Sequence, residues 1–188
     1  MTDLLVRYSN WKVILCAFLL LLVFSVVAFP TYQARMAEAA GEQVEPLDMR
    51  SSYTIDEVVR DFEKLGAEGR AVYRIVVGRI DMIFPLLYGS FFILLLASLL
   101  KKVLPYRSTL ILLSFFPLIG MLFDYLENIH ILKLLDTFPT LNTETVALAE
   151  RFTLLKHAFL LASVAMVVLL VLFLVFKRIY SRVNLVRQ

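Results

Sequence analysis

The chain is poor in the residues on which several common enzyme chemistries depend. Its 188 residues include one cysteine, Cys16, and two histidines. A lone cysteine excludes a disulfide within the chain, and with it the redox chemistry of paired thiols. The sequence also has no Ser-His-Asp pattern, no glycine-rich phosphate loop and no internal repeat. Serine-triad hydrolases and P-loop nucleotide enzymes are therefore not indicated.

Charge is absent from four long stretches of the chain. These stretches are Val13–Phe29, Met82–Leu100, Ser108–Phe123 and Ala158–Phe176. Each is near the length of about 17–25 residues that a membrane-spanning helix needs. Hydrophobic residues make up 60% of the chain, whereas soluble domains contain about 45–50%. The sequence therefore predicts an all-α polytopic membrane protein, with residues 1–188 forming one four-transmembrane-helix bundle. The predicted spans cover about residues 11–31, 71–100, 106–134 and 146–177.

The charges that flank the spans predict the orientation of the bundle. Segment 101–107 and the tail from Lys177 are basic without acids, whereas residues 136–150 contain acids and no base. Basic flanks stay in the cytoplasm, so both termini are predicted to be cytoplasmic, in a cell membrane of the bacterial inner-membrane type. The first span is expected to be retained rather than cleaved as a signal peptide. Because the basic residues lie at span ends, the net charge of +3 does not indicate nucleic-acid binding.

The first outer loop, residues 32–70, is predicted to contain an amphipathic helix at about residues 55–65. Thr54 and Glu57 have the spacing of a capping box, in which each side chain satisfies a free N–H group of the first turn. Apolar residues then recur at helical spacing, and Gly66 is expected to end the helix. The beginning of this loop is expected to be partly irregular.

The segment FDYLENIH, residues 123–130, places two acids, an amide and an imidazole directly after an uncharged run. An ionised side chain that faces lipid costs about 2.5–3.5 kcal/mol at mid-depth, so these groups are expected to face the bundle interior. The second and fourth helices carry polar stripes at the same predicted depth. The candidate ligand-binding residues are Arg74, Asp81, Tyr88, Asp124, Glu127, Asn128 and Lys156.

Three functions remain open from the sequence. The favoured one is a binding protein whose outward-facing pocket, formed by Asp81, Asp124, Glu127 and Lys156, takes a lipid or another small amphiphile. The second is a membrane enzyme that performs acid–base chemistry on a lipid-like substrate, using a desolvated carboxylate; its catalytic residues are not assigned. The third is a non-catalytic subunit in which the charged cluster is structural. The expected partners are the bilayer and the amphiphile, and a membrane-protein partner or a second copy of the chain is left open.

A metal or haem site is the weaker alternative at the same level. Glu127 and His130 form one Glu-x-x-His motif, which His157 and either Asp81 or Asp124 could complete as a mononuclear site. Di-iron bundles use two such motifs, and only one is present. His130 and His157 could also ligate one haem between the third and fourth helices. The sequence therefore favours no cofactor.

Overall fold

The computed structural model describes Leu5, residues 7–105 and residues 108–186, with side chains to residue 183. The predicted start of the third span, near residue 106, lies outside these residues. Within them all regular structure is helical, and four helices are long and apolar enough to cross a membrane. The predicted all-α architecture with four such helices is thus confirmed. The helices are α1 (Trp11–Ala40), α2 (Ile55–Val103), α3 (Thr109–Thr137) and α4 (Thr143–Val186).

Neighbouring helices run antiparallel. Near the start of α1, the ring of Phe18 lies 5.8 Å from that of Phe91 in the second half of α2. Farther along α1, Phe29 lies 5.0 Å from Phe84, which comes earlier in α2. The pairs α2–α3 and α3–α4 follow the same up-and-down order: Asn128 of α3 contacts Asp81 of α2, and Glu127 of α3 contacts Thr153 of α4. All four helices therefore reach both ends of the bundle.

Helix α1 is longer than the sequence analysis predicted. Asn10 caps its start by accepting hydrogen bonds from the N–H groups of Lys12 and Val13. The helix then continues to Ala40, where Gly41 adopts a left-handed φ of 72° and ends it. The expected irregular beginning of the loop, from residue 32, is therefore helical because this alanine-rich stretch favours a helix. The connection to α2 is residues 41–54.

Helix α2 begins at Ile55, where the sequence predicts the start of the amphipathic helix, but it ends at Val103 rather than near Gly66. Thr54 and Glu57 form both hydrogen bonds of the capping box. Gly66 has a φ of 61° and a ψ of −173°, a non-helical backbone conformation that is accessible almost only to glycine. However, the chain re-enters a helix at once and continues through a π-turn at Val76–Ile80 to Val103. The segment that starts at Ile55 is therefore a kinked extension of the second long helix, and Gly66 marks the kink.

Helix α3 has two parts. Residues Thr109–Phe115 are a 3-10 helix, and the α-helix begins at Pro117, whose missing N–H is no loss in a first turn. The α-helical part then runs to Thr137 and carries the polar residues of the FDYLENIH segment.

The buried apolar residues are divided unequally between the two ends of the bundle. We call the end covered by residues 41–54 the loop end, and the end that carries the α2–α3 connection the far end. A large cluster fills the loop end, where Phe62, Leu65 and Tyr73 of α2 pack with Ile131 and Leu134 of α3. At the far end the buried cluster consists of Ala97, Leu100 and Ile111. The candidate site lies between these two clusters, next to the larger one.

Candidate functional site

A cavity of about 340 Å³ lies beneath the 41–54 connection, and all four helices contribute to its wall. Its volume is in the range of about 300–1,000 Å³ that is usual for small-molecule sites. The polar side chains of its lining are Ser25, Gln33, Asp48, Asp81, Asp124, Lys156 and His157. Its apolar lining includes Phe29, Met36, Phe84 and Leu160, and Tyr88 presents both a ring and a hydroxyl. The cavity therefore combines a charged wall with an aromatic and aliphatic one.

Lys156 of α4 connects the carboxylates of α3. Its Nζ is in direct contact with Glu127 and lies 3.5 Å from Oδ1 of Asp124. Thr153, one turn earlier in α4, donates a hydrogen bond of 2.5 Å from Oγ1 to Oε1 of Glu127. These contacts cross the α3–α4 interface and hold its two helices in one register. Because the ammonium group has two carboxylate partners, its charge is already compensated by the protein.

Glu127 and Asn128 stand behind the cavity wall, and both side chains are fully buried. Asn128 donates from Nδ2 to the backbone carbonyl of Asp81 at 3.0 Å, which ties α3 to α2 just after the π-turn. In α2 this π-turn shifts the hydrogen-bond pattern from four to five residues, a feature common at functional sites. Of the predicted binding residues, Glu127 and Asn128 therefore hold in place the helices that form the cavity wall. Asp81, Tyr88, Asp124 and Lys156 line the cavity itself.

Asp81 has the most unusual environment of the lining residues. The residue is 5% exposed, and its carboxylate lines the cavity. In the described part of the chain this carboxylate has no hydrogen bond and no ion pair. The amide of Asn128 reaches its backbone carbonyl instead. Burying an ionised group without a partner costs free energy. A ligand that supplies a hydrogen-bond donor or a positive charge to this carboxylate would remove that cost.

The 41–54 connection supplies a carboxylate that the sequence analysis did not identify. Asp48, in the 3-10 turn Leu47–Met49, lines the cavity opposite the helices. The hydroxyl of Tyr73 donates to Asp48 at 3.4 Å and accepts from the N–H of Leu47 at 2.9 Å, which fastens the turn to α2. No helical spacing could have placed Asp48 here, because its position depends on how the connection folds over the bundle.

Tyr53 closes the same connection near the start of α2. Its side chain is buried, and its hydroxyl lies beside Thr153 and within the field of Glu127. Burial raises the pKa of the Tyr53 phenol, because the phenolate would lose its hydration. The hydroxyl therefore remains a neutral donor next to the carboxylates.

Arg74 does not join the cluster, which corrects the predicted stripe of Arg74, Asp81 and Tyr88. Its guanidinium pairs with Asp136 at the end of α3, and both side chains are about half exposed, at 52% and 53%. The π-turn Val76–Ile80 lies between Arg74 and Asp81. Since a π-turn holds more residues than an α-turn, it rotates Arg74 off the face that carries Asp81.

The two histidines occupy different surroundings. A ring nitrogen of His130 lies 2.6 Å from the carbonyl of Leu126 in its own helix, and the ring packs 5.1 Å from that of Phe152. His157 lines the cavity. Across the described residues, no group of three or more His, Cys, Asp or Glu side chains is arranged to hold a metal ion. Of the Glu-x-x-His pair, Glu127 contacts Lys156, and His130 packs against Phe152.

Comparison with protein-family models, curated proteins and solved structures finds no match to this chain. Its function is therefore inferred from the chemistry of the cavity.

Proposed function

We propose that the protein is an integral membrane protein that binds a lipid or another small amphiphile in the cavity beneath the 41–54 connection. One observation carries the proposal: a single cavity joins a wall of carboxylates to a wall of aromatic and aliphatic side chains. A purely apolar ligand would leave the charged side chains without partners, and a purely polar ligand would leave the apolar side chains in contact with water. An amphiphile satisfies both.

The composition of the bundle surface supports a position in the membrane. Large apolar side chains are exposed along α1 and along the second half of α4, for example Leu20, Val26, Leu169 and Phe176. Soluble monomers rarely expose contiguous apolar patches larger than a few hundred Å². Four helices of sufficient length bear this surface, so a bilayer is its natural surrounding. The basic segments near the far end support a cytoplasmic location for both termini, in a membrane that we propose to be of the bacterial inner-membrane type.

In this orientation the loop end faces outward. The segment from Ile55 to the kink at Gly66 carries its apolar residues Val58, Phe62 and Leu65 inward, and its charged residues other than the buried Asp61 lie toward the outside. It would act as the predicted amphipathic cover at the outer surface. The cavity then lies where a lipid-like molecule can approach from the outer leaflet, between α1 and the 41–54 connection.

The experiment is native mass spectrometry of the protein purified in mild detergent, with a variant that fills the cavity. Leu160 lines the cavity, and the adjacent Leu161 is exposed on the outer face of α4. We expect a discrete bound mass in the wild type and in Leu161→Trp, and its loss in Leu160→Trp, because the indole occupies the ligand volume. A bound mass that persists in Leu160→Trp at the wild-type level would refute the proposal.

A further inference from the structure

The charges of the cavity lining do not balance. Three carboxylates line it, those of Asp48, Asp81 and Asp124, together with one lysine. Lys156 is engaged by Asp124 on the lining and by Glu127 behind it. One ammonium group can offset only one negative charge, so the four carboxylates together exceed it, and neither Asp48 nor Asp81 has an ion-pair partner of its own among the described residues. An occupant that brings positive charge would compensate them.

Asp81 is positioned to contact such an occupant. It is 5% exposed, faces the cavity and has no hydrogen-bond or ion-pair partner for its carboxylate among the described residues. A buried carboxylate with only a structural role would be expected to accept a hydrogen bond from a neighbouring donor. Asn128 is close enough to bond the backbone of Asp81, yet its amide does not serve the side chain. The open acceptor thus points into the ligand volume.

Asp48 adds a second acceptor from the opposite wall. Arg50, two residues later, binds Asp61 at 2.7 Å and the carbonyl of Glu45 at 2.6 Å rather than Asp48. The group that Asp48 does contact is the neutral hydroxyl of Tyr73, at 3.4 Å. Asp48 therefore has no ion pair among the described residues, and it shares the charge of Lys156 with the other carboxylates around that lysine. Two acceptors from two walls define a position between them for a cationic group.

Aromatic rings adjoin this position. Phe84 packs edge-on against Phe29 at 5.0 Å and against Tyr88 at 5.6 Å, and all three line the cavity. Ring faces attract cations, most strongly where water is displaced. The same rings accept methyl or methylene groups. Carboxylates next to an aromatic wall favour an alkylammonium group over a fully hydrated inorganic cation.

We propose that the ligand of this cavity is a cationic amphiphile, with an amine or alkylammonium head at Asp81 and Asp48 and an alkyl tail along the apolar wall. This inference rests on the proposed function and specifies its ligand class. An anionic head would meet two carboxylates without ion pairs and a lysine that is already paired. A neutral head would leave the carboxylate of Asp81 without a countercharge.

The test compares dodecylamine, dodecanol and dodecanoate, which share one alkyl chain and differ in the charge of the head. Each is titrated against the purified protein in nonionic detergent, and the bound fraction is measured by native mass spectrometry. We expect dodecylamine to bind about tenfold or more tightly than the other two, and Asp81→Asn to remove most of that preference, because a hydrogen bond between charged groups is lost. Leu160→Trp should abolish binding of all three.

Two further variants make the result specific. Asp48→Asn lies in the connection rather than in a helix, so it tests the same charge without a change in the bundle. Asp136→Asn removes one negative charge outside the cavity, at the exposed pair with Arg74. We expect the first to weaken dodecylamine binding and the second to leave it unchanged, which separates the site from the net charge of the protein.

The outcomes distinguish the ligand class from the proposed function. Equal binding of the three compounds, blocked by Leu160→Trp, would overturn the cationic preference and retain an amphiphile site. Preferential binding of dodecanoate would overturn it in favour of an anionic head. A dodecylamine preference that Asp136→Asn reduces as much as Asp81→Asn would overturn the assigned position. Binding that Leu160→Trp does not affect would overturn both proposals.

Discussion

The loop end and the far end of this molecule differ in how many apolar side chains they bury. Among the residues that the structure describes, fourteen buried apolar residues form the cluster at the loop end, whereas three form the cluster at the far end. Toward the far end, Leu169 of α4 is 66% exposed and Phe176 is 69% exposed. The loop end is packed like a water-soluble domain. At the far end, apolar side chains point outward.

This difference has a physical reason if the far end lies in lipid, as we propose. Water drives apolar side chains into a core, but lipid tails are as apolar as leucine and provide no such drive between helices. Polar contacts and close packing of small residues must then hold the helices together. Glu127 contacts both Lys156 and Thr153, and Gly89 approaches Met121 closely. These contacts lie between the two clusters, where fewer apolar side chains are buried.

The largest effect on stability is expected when a polar contact at the boundary between the two ends is removed. In Glu127→Gln, Lys156 loses one of its two carboxylate partners inside the bundle. Removing one member of a buried ion pair costs about 3–5 kcal/mol, and the remaining Asp124 should keep the loss near the lower limit. The free energy of unfolding, measured by denaturant titration in mixed micelles, is expected to fall by about 3 kcal/mol.

Glu68→Gln is the matched control, because Glu68 is an exposed residue of α2. Exposed substitutions of this kind change stability by about 0.5 kcal/mol or less. If Glu127→Gln had as small an effect as Glu68→Gln, the charged cluster would not be holding α3 and α4 together.

The sequence predicted the helices and part of the site for the same reason. Long uncharged runs and the capping box of Thr54 and Glu57 are local signals, and the helices that they indicate are present. Asp124 and Lys156 were predicted to face one another because a charge in an apolar helix must face the interior, and they do. What depends on one helix and its surroundings could be read from the chain.

The failures come from features that one helix does not determine. The seven-residue spacing of Arg74 and Asp81 assumes a regular helix, and the π-turn Val76–Ile80 breaks it. One extra residue in a turn rotates the preceding face by about 100°, which sends Arg74 to Asp136. Asp48 was missed because the path of the 41–54 connection over the bundle has no periodic signal. The free carboxylate of Asp81 could be recognised only from the contacts around it.

A smaller effect is expected from the close approach of α2 and α3. A Cβ at Gly89 would lie 1.8 Å from Sδ of Met121, whereas one at Gly78 would lie 3.5 Å from Leu132, an ordinary contact. We expect Gly89→Ala to lower the free energy of unfolding by about 1–2 kcal/mol, since Met121 must move within a packed interface. Gly78→Ala should be neutral or stabilise by up to about 1 kcal/mol through helix propensity.

The double variant Gly89→Ala with Met121→Ala makes this prediction specific. If the cost arises from the methionine, the two changes together should destabilise less than the sum of their separate effects. Strict additivity, in the same denaturant titration, would place the cost elsewhere in α2.

The smallest effect is expected at the far end, on the surface that sharpens the comparison most. Leu169 of α4 is 66% exposed, while the next residue, Leu170, packs against the cluster of Ala97, Leu100 and Ile111. In Leu169→Ala, detergent or lipid replaces the lost methyl groups, so stability should change by about 0.5 kcal/mol or less. Leu170→Ala should lose clearly more, because it opens a gap in packing that lipid does not fill. Both are measured by denaturant titration, with the particle mass followed in parallel. A marked loss for Leu169→Ala, accompanied by a fall in particle mass, would show that another protein chain rather than lipid covers this face.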